Sequence, residues 1–312
     1  RRLYGCSGAD EGEWRDSVTT EMIALPGMAN AHSHAFQRLL RGSVQRRAMG
    51  REDTFWTWRE SMYDLACRLD LQGLESASRL CFVECLEAGY TAVGEFHYLH
   101  HQPDGAAYDD PVATSRAVVR AASQAGIRLC LLWTVYARGG FDAPLQSRQR
   151  RFGVTDLDTV RRSLDALSND LTGDMCRMGL AIHSVRAVPR DWLGPLAEEA
   201  AARDLPLHVH VSEQPQEVAD CRGATGLTPI GLLHSEGALG PRCTLVHATW
   251  LEDSDLDHIS TSGATVCLCP TTEGDLGDGF PQTDALNQRG VPLCIGSDSH
   301  AVIDPWAELR TL

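Results

Sequence analysis

Eight short apolar runs rich in β-branched residues punctuate the chain, at 27–34, 90–99, 127–137, 178–188, 205–211, 243–250, 264–270 and 291–297. Between most of them lie stretches with helical spacing of apolar residues, at 74–88, 111–125, 157–168, 192–203, 228–236 and 251–261. Strands that alternate with helices indicate a parallel sheet, and eight such units are the count of a (β/α)8 TIM-type barrel, an α/β fold. Gly89, Gly126 and Gly263 follow three of the helical stretches and suit left-handed C-caps. A doubly wound sheet needs fewer strands and usually a Gly-rich phosphate turn, which this sequence lacks. The polar stretches 102–110 and 138–153 read as loops at strand ends.

The composition narrows the function classes. A net charge of -14 argues against nucleic acid as the main partner. No apolar run reaches membrane-spanning length and the start lacks a secretory layout, so a cytoplasmic protein with no membrane partner is expected. The chain begins at Arg1, which suggests a fragment or a processed form. Eleven cysteines without a signal sequence do not suggest a disulfide framework. Cys81, Cys85, Cys130, Cys267, Cys269 and Cys294 read as buried small hydrophobes. All 28 basic residues are arginine, which excludes any mechanism built on a Schiff-base, general-base or carboxylated lysine.

Catalytic groups of a barrel gather where its strands end. The first run ends in His32-Ser-His34, and alternation along a strand puts both imidazoles on one face. The second ends in Glu95-Phe-His97-Tyr98-Leu-His100-His101, the fourth in His183-Ser-Val-Arg186, and the fifth in His208-Val-His210-Val-Ser-Glu213-Gln214. The sixth carries His247 and the eighth Asp298 and His300. An isolated His-x-His is a weak signal. A histidine or carboxylate at so many successive strand ends is not what core packing produces.

This order of motifs resembles the amidohydrolase superfamily across residues 26–300. Within it, Asn30-Ala-His-Ser-His-Ala-Phe-Gln-Arg, Glu95-Phe-His-Tyr-Leu-His-His, His208-Val-His-Val-Ser-Glu-Gln and Cys269-Pro-Thr-Thr-Glu-Gly-Asp-Leu-Gly-Asp-Gly are similar to the formimidoylglutamate deiminase family. The resemblance implies hydrolysis of N-formimino-L-glutamate to N-formyl-L-glutamate and ammonia, a step of histidine breakdown. It implies one Zn2+ per chain on His32, His34, His210 and Asp298, with Fe2+ compatible with the same ligands. His210 is preferred to His208 because the superfamily's His-x-x-Glu pairs a metal histidine with a catalytic glutamate. Glu213 is then the proton carrier, and His247 and Asp298 steer the attacking water. Gln37, Tyr98, His183 and Arg186 match positions that face a substrate bearing carboxylates, and Arg59 is added to them.

Family members add a small β-sandwich from both chain ends and form homodimers. Residues 1–25 are expected to supply only a remnant of that sandwich. The barrel occupies 26–312, with the helix after strand eight and the C-terminal sandwich strands missing. His97, His100, His101, His234 and His258 read as structural or surface residues, and His208 as packed behind the site. Two other readings compete: a deaminase of a nucleobase or adenosine derivative, and a catalytically inactive barrel that serves as a scaffold.

Overall fold

The computed structural model describes residues 24–45, 54–171 and 173–312. The expected sandwich remnant at 1–25 therefore lies almost wholly outside the described residues. Eight strands form one parallel sheet in sequence order: β1 (Met28–Ser33), β2 (Tyr90–His97), β3 (Arg128–Val135), β4 (Cys176–Ser184), β5 (Leu207–Val211), β6 (Cys243–His247), β7 (Thr265–Leu268) and β8 (Leu293–Ile295). The sheet curls until β8 returns to β1, where Ser33 and Asp298 form a parallel bridge. The eight expected strands are all present, each shorter than its apolar run. Each run continues past its last sheet pairing into the loop that carries polar side chains.

Helices cover the outside of the barrel, as the spacing predicts. Leu71–Ala88, Ala113–Ala125 and Asp253–Ser262 end at Gly89, Gly126 and Gly263, whose φ values are +104°, +83° and +72°. Only glycine adopts this left-handed turn without strain. Two differences concern loops. The stretch 138–153 contains a 3-10 turn, Ser147–Phe152, which buries Gln149, Arg151 and Phe152. A helix, Pro305–Thr311, follows β8, correcting the expectation that none is present there. Asp304 caps it through hydrogen bonds from the Trp306 and Ala307 N–H groups.

Apolar side chains of β2 to β7 join the main core, which includes Phe96, Trp133, Leu180, Val209 and Leu245, while Val246, Cys267 and Cys269 form a smaller cluster against Ala31 of β1 and Cys294 of β8. Cys81, Cys85, Cys267 and Cys269 are fully buried, while Cys130 and Cys294 are only half-buried. No helix among the described residues is long and apolar enough to cross a membrane.

Two glycines let the neighbouring strands close on β1 beneath the site. A Cβ at Gly94 would lie 2.6 Å from the Ala31 carbonyl oxygen, and one at Gly296 would lie 2.7 Å from the His32 Cβ. No side chain fits at either position.

Candidate metal centre and active site

His32, His34, His210 and Asp298 converge at the C-terminal mouth of the barrel, all buried. The Nε2 atoms of His210 and His32 are 3.0 Å apart, and those of His210 and His34 3.2 Å. Asp298 Oδ1 lies 3.2 Å from His32 Nε2 and 3.3 Å from His34 Nε2. A tetrahedral ion with bonds of about 2.0–2.1 Å requires ligand-to-ligand edges of about 3.3–3.4 Å. The four atoms approximate that arrangement.

The protonation pattern also fits a cation. His34 donates Nδ1–H to the Phe96 carbonyl and His210 donates Nδ1–H to the His183 carbonyl, each at 3.0 Å. Their Nε2 lone pairs therefore face one another, which is unfavourable unless a positive charge lies between them. Burial keeps all three histidines neutral. It takes His34 down to about 3, helped by the neighbouring His32, and lowers His32 and His210 as well. Burial alone would raise Asp298, but the hydrogen bond with His32 and the charge of His247 outweigh it and hold the carboxylate below its ordinary range.

Backbone geometry fixes this cluster. His34 N–H donates to Asp298 O and Asp298 N–H donates to His32 O, both at 3.0 Å, so β1 and the turn after β8 interlock at the ligands. Ser212, His247, Ala248, Asp298 and His300 all adopt positive φ, between +46° and +71°. Strain at five non-glycine residues around one pocket marks a site whose geometry is over-determined by its surroundings.

Behind the His-x-His segment, Glu95 accepts from the Ser33 hydroxyl at 2.5 Å and from the Ala35 N–H at 2.8 Å. Ser33 Oγ also meets His300 Nε2 at 2.8 Å. Burial pushes the Glu95 carboxyl up to about 8, against the pull of both hydrogen bonds.

Beside the ligands, His247 Nε2 lies 3.7 Å from Glu213 Oε1 and 3.9 Å from Asp298 Oδ2. Burial opposes protonation of His247, but Glu213, Glu273 and Asp298 outweigh it and raise its pKa well above 6.5. Burial raises Glu213 to about 7, opposed by the charge of His247. Asp278, bonded by Gln214 Nε2, is pushed by burial up to about 9.

A cavity opens from this centre. Gln37, Arg59, Tyr98, His183 and Arg186 all line it, together with His34, His210, Glu213, His247 and Asp298. Gln37 Nε2 donates to the Tyr98 hydroxyl at 2.9 Å. Neither Arg59 nor Arg186 has a hydrogen bond or ion pair among the described residues, and the Nε of each is buried without a partner. Arg59 instead stacks 4.5 Å from the Trp56 ring centroid. Glu217 and Glu213 supply the negative field that raises Arg186 against the cost of burial.

The remaining histidines lie outside this cavity. His97 is buried and bonds Thr114 Oγ1, His100 stacks on Trp133, and His101 donates to the Gly153 carbonyl. His208, two residues before His210, lines a separate hollow at the opposite end of the barrel with Asn30, Arg128 and Thr244. His234 and His258 stack on each other on the outer surface, ring centroids 3.9 Å apart.

The sequence reading gave no role to Glu273, Asp278, Glu217, Tyr63 or Tyr136. The first two belong to the Cys269–Gly279 motif already quoted for its resemblance, which was the available signal. The tyrosines carried none.

A model of the amidohydrolase family matches residues 23–312. The chain belongs to the amidohydrolase family. Among curated relatives of this amidohydrolase, formimidoylglutamate deiminase of Pseudomonas aeruginosa is 43% identical over 290 residues, covering 92% of the chain and 63% of the relative. The 8-oxoguanine deaminase of the same organism is 28% identical, covering 90% and 61%. A crystal structure of an amidohydrolase from Brucella melitensis superposes with a TM-score of 0.87 at 39% identity, covering 92% of this chain and 63% of that one. The chain thus spans somewhat less than two thirds of the length of these relatives.

Proposed function

We propose that the chain carries the active site of an amidine hydrolase acting on N-formimino-L-glutamate, which it converts to N-formyl-L-glutamate and ammonia. One observation carries the reading: two guanidinium groups that make no salt bridge among the described residues face the same cavity as the metal ligand set. A glutamate-derived ligand brings two carboxylates, and each guanidinium can hold one through paired hydrogen bonds. A flat, neutral nucleobase would leave both cations unpaired in a half-buried pocket. The 43% identity to formimidoylglutamate deiminase supports the same substrate.

His32, His34, His210 and Asp298 are the proposed holders of one zinc ion. Such an ion supplies Lewis acidity and brings the pKa of a water it binds down to about 7. The protein's own groups do the rest. Asp298 takes the proton of the attacking water, and the protonated His247 beside it steers the water. Glu213, poised near neutrality, protonates the imino nitrogen so that the formimino carbon accepts the water oxygen. Glu213, re-protonated by the proton that Asp298 took from the water, gives it to the nitrogen as the carbon–nitrogen bond breaks and ammonia leaves, and the hydroxyl left on carbon returns its proton to Glu213. General acid–base help of this kind is worth roughly 10²–10⁴-fold.

The deciding experiment is an ammonia-release assay on zinc-loaded protein with N-formimino-L-glutamate, guanine, cytosine and 5'-deoxyadenosine, repeated on Arg186→Met. Turnover of the formimino compound alone, with kcat/KM at least roughly tenfold lower in the variant and unchanged zinc content, supports the reading. Preference for a nucleobase, or no effect of the variant, overturns it.

A further inference from the structure

Three segments distant in sequence meet at Gln149, in the 3-10 turn after β3. Its side chain is buried, 1% exposed. Nε2 donates to the Tyr136 hydroxyl at 2.9 Å and to the Tyr63 hydroxyl at 3.1 Å. Oε1 accepts the Gln146 backbone N–H at 2.8 Å. That last bond decides which end of the amide faces the tyrosines, because a backbone N–H can only donate.

The consequence is a matter of counting protons. An amide nitrogen donates and does not accept, so both phenol oxygens act as acceptors towards Gln149. The two hydroxyls are 3.3 Å apart, and one donates to the other. The pair owns two phenolic protons and its internal bond uses one. The second has no acceptor among the described residues. Both tyrosines line the cavity that contains Arg59 and Arg186. Arg59 lies 5.6 Å from the Tyr63 ring centroid, and His183 lies 4.5 Å from Tyr136, ring to ring. The unused O–H thus lies on the wall of the cavity that holds both guanidinium groups.

We propose that Gln149 is a positioning residue that makes the Tyr63–Tyr136 pair a hydrogen-bond donor into the cavity, and that this donor completes a carboxylate-binding subsite with Arg59 and Arg186. The inference rests on the glutamate-derived substrate proposed above and names the part of the pocket that selects it. Gln149 does not line the cavity and acts only through the tyrosines.

The test uses zinc-loaded full chain, wild type, Gln149→Leu and Gln149→Glu. Two quantities are measured: the Kd of glutarate by calorimetry, and kcat and KM for N-formimino-L-glutamate and for formamidine, an amidine without carboxylates. Leucine removes the donor that orients the phenols, and glutamate turns both phenolic protons towards itself. The expected result is a rise of roughly tenfold in glutarate Kd and in KM for N-formimino-L-glutamate in the leucine variant, and a larger rise in the glutamate variant. The kcat values, and kcat/KM for formamidine, should stay within about twofold of wild type. Unchanged Kd and KM in both variants overturn the proposal, as does an equal loss on both substrates, which marks a merely structural residue. A wild type that binds no glutarate overturns it too. If glutarate binding depends on Gln149 but wild type releases no ammonia from N-formimino-L-glutamate, the donor pair stands and the deiminase reading falls.

Discussion

Glu273 Oε1 holds the Nδ1 of His247 at 3.2 Å while accepting the Cys269 N–H at 2.9 Å. The contact spans 26 residues of sequence and ties the end of β6 to the helix Pro270–Leu276 that follows β7. With Nδ1–H given to Glu273, the other ring nitrogen is left facing Glu213 and Asp298. Glu273 thus fixes which nitrogen of His247 is available for proton transfer. Glu273→Leu should lower kcat by roughly 10–100-fold, in line with the loss of supporting contacts in metal sites, while zinc content stays at wild-type level. Steady-state kinetics and metal analysis on the same preparation check this. A proportional loss of metal would place Glu273 in the ligand scaffold instead.

Glu95 offers a different kind of support. It touches no proposed ligand side chain, yet it holds the Ser33 hydroxyl and the Ala35 N–H on either side of His34. Replacing it by alanine frees the segment that sets the angle between His32 and His34. The expected outcome is a 10–100-fold weaker zinc affinity in a competition titration with a chelating dye. His34→Ala should abolish binding in the same assay. Wild-type affinity in Glu95→Ala would show that the β1–β8 interlock alone holds the ligands.

For Glu213, substitution by glutamine keeps the shape and removes the exchangeable proton. Zinc content and melting temperature should remain close to wild type while kcat falls by roughly 10²–10⁴-fold. Near-normal turnover would take Glu213 out of the proposed chemistry.

The parts of the site legible in the sequence share one physical property. His32, His34, His183, His210, His247 and Asp298 all lie at or just after the C-terminal ends of strands, so the strand rhythm orders them before any coordinates exist. Arg59, Tyr63 and Gln149 lack that anchor. Arg59 and Tyr63 belong to the helix Phe55–Ala66, whose start carries aromatics at Phe55, Trp56 and Trp58 and so blurs the apolar stripe. Its true marker was Thr54, which caps the helix reciprocally with Thr57. Gln149 lies in a polar, Arg-rich stretch that reads as an exposed loop. It is buried because Tyr63, 86 residues earlier, closes over it. Arg151 in the same turn is buried for a similar reason, donating to the Leu69 carbonyl. Burial imposed by partners so distant leaves no local pattern.

Stability depends on a buried carboxyl that holds none of the proposed metal ligands. Glu308, on the helix after β8, is fully buried and accepts the Thr271 N–H at 2.9 Å and the Thr271 hydroxyl at 2.6 Å. Burial raises it from 4.5 to about 7, against the pull of both hydrogen bonds. A group whose folded pKa exceeds its unfolded value binds more protons in the folded state between the two values. Its favourable contribution is therefore complete below about 4.5 and is lost as pH rises through about 7. Glu308→Gln replaces it with a neutral group that does not titrate. Other carboxyls raised by burial, such as Glu95 and Asp278, titrate in both proteins and cancel in the difference. Thermal melting of wild type and variant should accordingly show the wild-type midpoint falling relative to the variant between pH 5 and 8. A constant offset across that window would mean that Glu308 does not change its protonation there, and that Thr271 holds it ionised throughout.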